Sequence, residues 1–290
     1  MNLSRRRFLS ASSAAFLSAV ALDGPSALAA VKPRLGVCDW SVGCLANPEA
    51  LDFAKKVGLG GVQVSSGSGK DECELMDAAI RQQYKDVTAK TGVVACSTAM
   101  GFLNTYPLAS DPRGPQWLEQ TIDITKDLDA KLALLAFFGK GDLRKGDTLK
   151  EKDIDVVVQR LKDAAPRAEK AGVILALENM LSAKDNLAIL DRVKSDAVQI
   201  YYDIYNTSIS AGYDSPAEIR MMKDRMCQVH FKNGKEFLGK GDLDMLKIRD
   251  ALNDINYGGW VVLETSTPTG DKEADFKTNA DFVKNLFGMA

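Results

Sequence analysis

Four side chains able to ligate a metal stand at or near the ends of four consecutive strand-like runs. Val173–Glu178 closes on Glu178, Ala197–Asp203 closes on Asp203, Met226–Lys232 carries His230, and Gly259–Glu264 closes on Glu264. The four are 25, 27 and 34 residues apart, each interval long enough for one strand and one returning helix. Two Glu, one Asp and one His make an oxygen-rich donor set with a single imidazole. Such a set suits Mn²⁺ or Mg²⁺ first, and also accepts Co²⁺ or Zn²⁺. Taken singly, each residue has an ordinary structural explanation: a strand-closing Glu pairs with a nearby Lys, and a lone His packs in a core. Brought together on one rim, three carboxylates repel one another unless a cation lies between them.

The composition narrows the chemistry further. His230 is the only histidine in 290 residues, which excludes mechanisms and metal clusters that need several. A net charge of −2 argues against nucleic acid or an anionic membrane as the main partner. Five cysteines without a CxxC pair argue against a disulfide scaffold or a structural zinc site. Cys38, Cys96 and Cys227 lie in apolar runs and read as small core residues.

The elements that must position the four donors are eight strand–helix units. Besides the four runs above, Arg34–Cys38, Gly61–Ser65, Val93–Ser97 and Leu132–Ala136 are short, nearly continuous apolar stretches, as expected of strands buried on both faces of a parallel sheet. Amphipathic segments alternate with them: Pro48–Val57 behind the N-cap Asn47, Glu72–Thr91 before Gly92, Gln116–Leu128, Glu151–Ala171 before Gly172, Asp185–Val193, Ser215–Lys223, Leu243–Asn253 and Ala274–Phe287. The pattern predicts an α/β fold with one domain, a (β/α)8 TIM barrel over about residues 31–290. A doubly wound open sheet is the rival, but Cys38-Asp39-Trp40-Ser41 follows the first strand where a GxGxxG turn would stand. In a TIM barrel the strand C-termini build the active site, so Glu178, Asp203, His230 and Glu264 are expected around one metal ion.

Residues 1–29 read as an export signal of the twin-arginine (Tat) type. Ser4-Arg5-Arg6-Arg7-Phe8-Leu9 is followed by a mildly apolar, Ala/Ser-rich run to Leu22 and by the small-residue cleavage site Ala27-Leu28-Ala29. The run is short for a membrane span. The expectation is passage through the Tat translocase, cleavage near Ala29, a periplasmic or exported mature protein, and no membrane segment in it.

At the level of motifs the chain resembles the xylose isomerase-like TIM barrels, the sugar phosphate isomerase/epimerase superfamily. Leu177-Glu178-Asn179, Tyr202-Asp203-Ile204-Tyr205-Asn206, Val229-His230-Phe231-Lys232-Asn233, Leu238-Gly239-Lys240-Gly241-Asp242-Leu243-Asp244 and Val262-Leu263-Glu264 carry the resemblance. It implies one divalent metal held by Glu178, Asp203, His230 and Glu264. It also implies enolisation of a sugar beside a polarised carbonyl, with Glu178 and Glu264 as an acid/base pair on opposite sides of the substrate. The sequence departs from the family at Asn206, where epimerases often have His, and at Gln63, where several members have Glu.

Lys232 is two residues past His230, and on a continuing strand it points the same way. It is expected to stabilise oxyanion charge or to pair with a ligand carboxylate. Trp40 and Phe102 are expected as substrate walls, Asn206 as a substrate contact, and Lys240 as a residue of a glycine-flanked loop able to close over the site. The leading function is a divalent-metal-dependent isomerase or epimerase of a sugar or keto-sugar acting through an enediolate. A lyase or hydratase on 3-keto-glycosides or keto-sugars would use the same site, and a non-enzymatic sugar- or metal-binding protein is the third reading. The partner is a small sugar rather than nucleic acid, and a homo-oligomer is compatible with all three.

Overall fold

The computed structural model describes residues 32–289; the expected export signal lies outside them. Eight parallel strands close into a barrel in sequence order: β1 (Arg34–Cys38), β2 (Gly61–Ser65), β3 (Val94–Met100), β4 (Leu132–Ala136), β5 (Ile174–Glu178), β6 (Val198–Asp203), β7 (Met226–Phe231) and β8 (Trp260–Leu263), with β8 pairing back onto β1. The returning helices are α1 (Glu49–Lys56), α2 (Ala78–Thr91), α3 (Gly114–Asp127), α4 (Glu151–Ala171), α5 (Ala183–Val193), α6 (Ser215–Met222), α7 (Met245–Asp254) and α8 (Lys272–Leu286). A small ribbon, Arg144–Lys145 against Thr148–Leu149, decorates the connection after β4. Among the described residues no helix is long and apolar enough to cross a membrane.

The strands are apolar on both faces because each face meets a different core. Leu175, Leu177, Ile200, Tyr202, Val229, Phe231, Val261 and Leu263 point outward and join the main cluster packed under the helices. Each such side chain, once buried, contributes roughly 1.5–3 kcal/mol. The alternate positions point into the barrel, where Ala99, Leu134, Ala176 and Tyr201 pack together and Cys38, Cys96 and Val262 form a second small cluster. Parity along a strand therefore assigns Glu178 with Ala176, Asp203 with Tyr201, and Glu264 with Val262 to the inside. His230 lies between the outward-facing Val229 and Phe231, so it is inside as well. Register completes the placement: Asp203 pairs with His230 across β6 and β7.

Two local features differ from the sequence expectation. The segment expected as one helix over Glu72–Thr91 divides into a 3₁₀ turn, Glu74–Met76, and α2. Asp77 takes an extended conformation and its side chain accepts from Ala79 N, so it caps a new helix start. The third strand also runs on to Met100. A register shift opposite Val62 and Gln63 inserts one extra residue in β3, as a β-bulge does, and aims Ser97 and Ala99 inward. At the opposite end of the barrel from the strand C-termini, Gly61 is required. A Cβ there would lie 2.7 Å from the Trp260 indole and 2.9 Å from Cys96 Cβ.

Candidate metal centre

Glu178, Asp203, His230 and Glu264 converge, each offering a ligand atom within 4.8 Å of all the others. Glu178 Oε1 lies 2.7 Å from His230 Nδ1, and Glu264 Oε2 lies 3.6 Å from the same nitrogen. Asp203 and His230 are completely buried at the floor, while Glu178 and Glu264 reach the cavity above. Lys232 follows the last residue of β7 and still turns inward. Its Nζ is 3.0 Å from Glu264 Oε2 and 3.9 Å from Asp203 Oδ2.

The backbone holds one oxygen of Asp203 and leaves the other. Oδ1 accepts from Tyr205 N at 2.8 Å and Asn206 N at 2.7 Å, the first amides of the turn that follows β6. Oδ2 is buried with no hydrogen-bond partner. A buried carboxylate oxygen left this way is costly, and a cation between the carboxylates removes that cost. The donor set fits a hard divalent ion on this ground: three carboxylates and one imidazole, with an unsatisfied oxygen among them.

The titration behaviour agrees. Burial, followed by the charges of Glu264 and Glu178, pushes the Asp203 carboxyl up to about 8. Burial disfavours charged His230, but Glu178 and Glu264 outweigh it and raise its pKa above the ordinary value. Burial also opposes ionisation of Glu264, yet His230 and Lys232 hold its pKa below the usual range. Without a cation, the cluster is short of positive charge at Asp203.

A cavity of about 620 Å³ opens from the cluster, well inside the ~300–1,000 Å³ range of small-molecule sites. Trp40, Phe102, Asn206 and Lys232 all line it, together with Leu45 and Phe138. Trp40 donates from Nε1 to Glu264 Oε1 at 3.0 Å and sets its indole edge-on to His230 at 6.0 Å. The loop carrying Trp40 is tied down by buried Asp39, which accepts from Ser65 N, Ser65 Oγ and Ala46 N. Burial lifts the Asp39 carboxyl to about 6 against those bonds. Asn104 orients Phe138 by accepting from its backbone N–H at 2.9 Å.

Lys240 is absent from the cavity wall. Its side chain is exposed, and its carbonyl accepts from Asn233 Nδ2 to shape the loop after β7. Leu45 and Asn104 entered the wall without a sequence signal, since Leu45 sits on the turn after β1 and Asn104 closes a short 3₁₀ helix after β3.

A family model for the xylose isomerase-like TIM barrel matches residues 51–286. The chain belongs to that family. Among curated xylose isomerase-like relatives, D-psicose 3-epimerase of Enterocloster bolteae is 25% identical over 249 residues, 76% of this chain and 81% of that protein. L-ribulose 3-epimerase of Mesorhizobium japonicum is 28% identical over 189 residues, 61% and 63% of the two chains. The crystal structure of D-psicose 3-epimerase with D-tagatose from Clostridium cellulolyticum H10 superposes with a TM-score of 0.73 at 16% identity, covering 88% of this chain and 99% of that one. Its likeness is one of fold. These two relatives are sugar 3-epimerases.

Proposed function

We propose that this xylose isomerase-like chain is a divalent-metal-dependent epimerase of an unphosphorylated sugar or keto-sugar, working through an enediolate. The observation that carries the reading is the division of the cluster: Asp203 and His230 lie buried beneath, while Glu178 at the end of β5 and Glu264 just past β8 both face the cavity from different sides. The relation to sugar 3-epimerases supports the same reaction class.

When bound, a divalent ion supplies Lewis-acid polarisation of the substrate carbonyl. Glu178, Asp203, His230 and Glu264 would hold it. Glu264, kept ionised by His230 and Lys232, takes the proton from the carbon beside the carbonyl. Glu178, protonated at the start of the cycle, delivers its proton to the other face of the same carbon, which inverts it, and exchange with solvent returns both carboxyls to their starting states. Trp40 Nε1 and Lys232 Nζ fix the Glu264 carboxylate at its two oxygens. The Lys232 ammonium also offsets negative charge as the enediolate forms. Trp40, Phe102 and Asn206 contact the sugar.

Among the described residues, the only basic side chain on the cavity wall is Lys232, already paired with Glu264. That arrangement supports an unphosphorylated substrate, since phosphate recognition relies on free cations or clustered amides. Export through the Tat route, on the strength of the twin-arginine motif, belongs to the same reading.

A second reading is a lyase on a 3-keto-glycoside. It is favoured by the apolar outer wall, where Leu45, Phe102 and Phe138 offer surface beyond the polar groups near the cluster. The enediolate would then expel the β-oxygen substituent instead of being reprotonated on the opposite face. The deciding experiment is metal analysis of the purified protein, followed by incubation with ketoses and 3-keto-glycosides in D₂O. Epimerisation gives a deuterated epimer, and elimination releases the aglycone. A metal-loaded protein that exchanges no substrate C–H across the panel overturns both and leaves a binding protein.

A further inference from the structure

Gln63 lies on β2, fully buried beneath the cluster, on the side of His230 away from the carboxylates. Its Oε1 is 2.7 Å from His230 Nε2, while Nδ1 of the same ring faces Glu178 and Glu264. Two more groups approach that oxygen: the Tyr201 hydroxyl at 3.4 Å and the Cys38 thiol at 3.5 Å, whose sulfur also lies 3.3 Å from His230 Nε2.

The surrounding polar chain has a direction. Gln228 Nε2 donates to Ser97 Oγ at 2.9 Å and to Tyr201 Oη at 3.1 Å. The tyrosine hydroxyl accepts from Gln228, so its own proton turns to Gln63. An atom to which a phenol donates is an acceptor, which makes the amide oxygen the group facing His230. The ring must then donate from Nε2. With no metal bound, Nδ1 also carries a proton to Glu178 Oε1 at 2.7 Å, and loss of that proton leaves the Nδ1 lone pair for a cation among the carboxylates.

Gln63 Nε2 has no hydrogen-bond partner and is buried. If the position served packing alone, an apolar side chain of similar volume would avoid that orphaned amine. The cost is explained by what the other end of the amide does. A carboxylate there would orient the ring equally well but would add a fourth negative charge to a floor that already holds the buried Asp203.

We propose that Gln63 is a positioning residue that selects the Nε2–H tautomer of His230 and thereby presents Nδ1 to the metal. The inference rests on the metal-centre reading above and deepens it.

Because the chain has one histidine, imidazole ¹⁵N NMR reports His230 without ambiguity. Spectra of the Zn²⁺ or Mg²⁺ complex are expected to show Nε2 protonated and Nδ1 bare. Gln63→Met keeps the volume and removes the acceptor. It should weaken metal binding roughly 10–100-fold and expose the Nε2–H proton to rapid exchange. Thermal unfolding of the metal-free variant should stay at or above wild type, which separates positioning from folding. Gln63→Glu restores the acceptor and should restore the protected Nε2–H. A Met variant that keeps both the protected proton and the affinity overturns the proposal. If wild type binds no divalent ion by calorimetry, the metal-centre reading fails. The Nε2–H exchange comparison in the metal-free proteins then still decides whether Gln63 orients the ring.

Discussion

The Trp40 indole and the Glu264 carboxylate are joined by a 3.0 Å hydrogen bond that links the loop after β1 to the end of β8. These strands are neighbours where the barrel closes, so the contact couples barrel closure to the orientation of the proposed base. Trp40→Phe keeps the apolar face and removes the N–H. A hydrogen bond to a charged group contributes about 1.5–3 kcal/mol, so solvent-deuterium exchange into substrate should slow by roughly 10- to 100-fold with metal affinity unchanged. An equal loss of metal binding would show that Trp40 acts on the ligand set rather than on the base.

Glu264→Gln should abolish exchange while circular dichroism and gel filtration remain those of wild type. His230→Ala should leave the barrel folded and lower bound metal measured by elemental analysis. Retained turnover in the first variant removes Glu264 from proton transfer, and undiminished metal content in the second removes His230 from the ligand set.

Lys232 and a metal compete for the same oxygen, because Nζ lies 3.0 Å from Glu264 Oε2, the oxygen that also faces His230 Nδ1. Lys232→Met should therefore tighten divalent-metal binding several-fold while slowing exchange by about 10²-fold, as expected for loss of a group that stabilises developing charge. Calorimetry and exchange kinetics on one preparation would separate the two effects. Weaker metal binding would mean the ammonium orders the carboxylates instead of competing for them.

Metal-free protein should lose stability as pH rises. The folded Asp203 carboxyl titrates at about 8 and an unfolded one near 4. Between these values the unfolded chain releases a proton that the folded chain keeps. The stabilisation is full below pH ~4 and is lost by pH ~8. Asp39, titrating at about 6, adds loss in the lower half of that window. The Tm of metal-free protein should drop by on the order of several degrees from pH 5 to 8. Asp203→Asn should flatten the profile, and added divalent metal should reverse it in wild type. A Tm independent of pH would falsify this account of the cluster.

The four donors were legible in the sequence because each sits at a strand end with the inward parity, at a spacing of one strand–helix unit. The strand bounds of Arg34–Cys38, Gly61–Ser65 and Leu132–Ala136 follow directly from apolar runs. What stayed hidden depends on contacts rather than pattern. The inserted residue near Cys96 changes which side chains of β3 face inward, and alternation alone does not register it. Glu74 is drawn out of a helix by Ser68, whose backbone N–H and hydroxyl both reach its carboxylate. Lys240 has a suggestive glycine-flanked setting, but the loop geometry turns its side chain to solvent.

The layer of Cys38, Gln63, Tyr201 and Gln228 is almost completely inaccessible. It divides the cavity above the carboxylates from a separate one of about 440 Å³ around Trp260 at the far end. Between these two spaces the barrel is a partition, not a conduit. On the proposed reading a sugar cannot cross the barrel from one space to the other. Reactant and product therefore share the cavity above the carboxylates, and accumulated product is expected to obstruct turnover competitively.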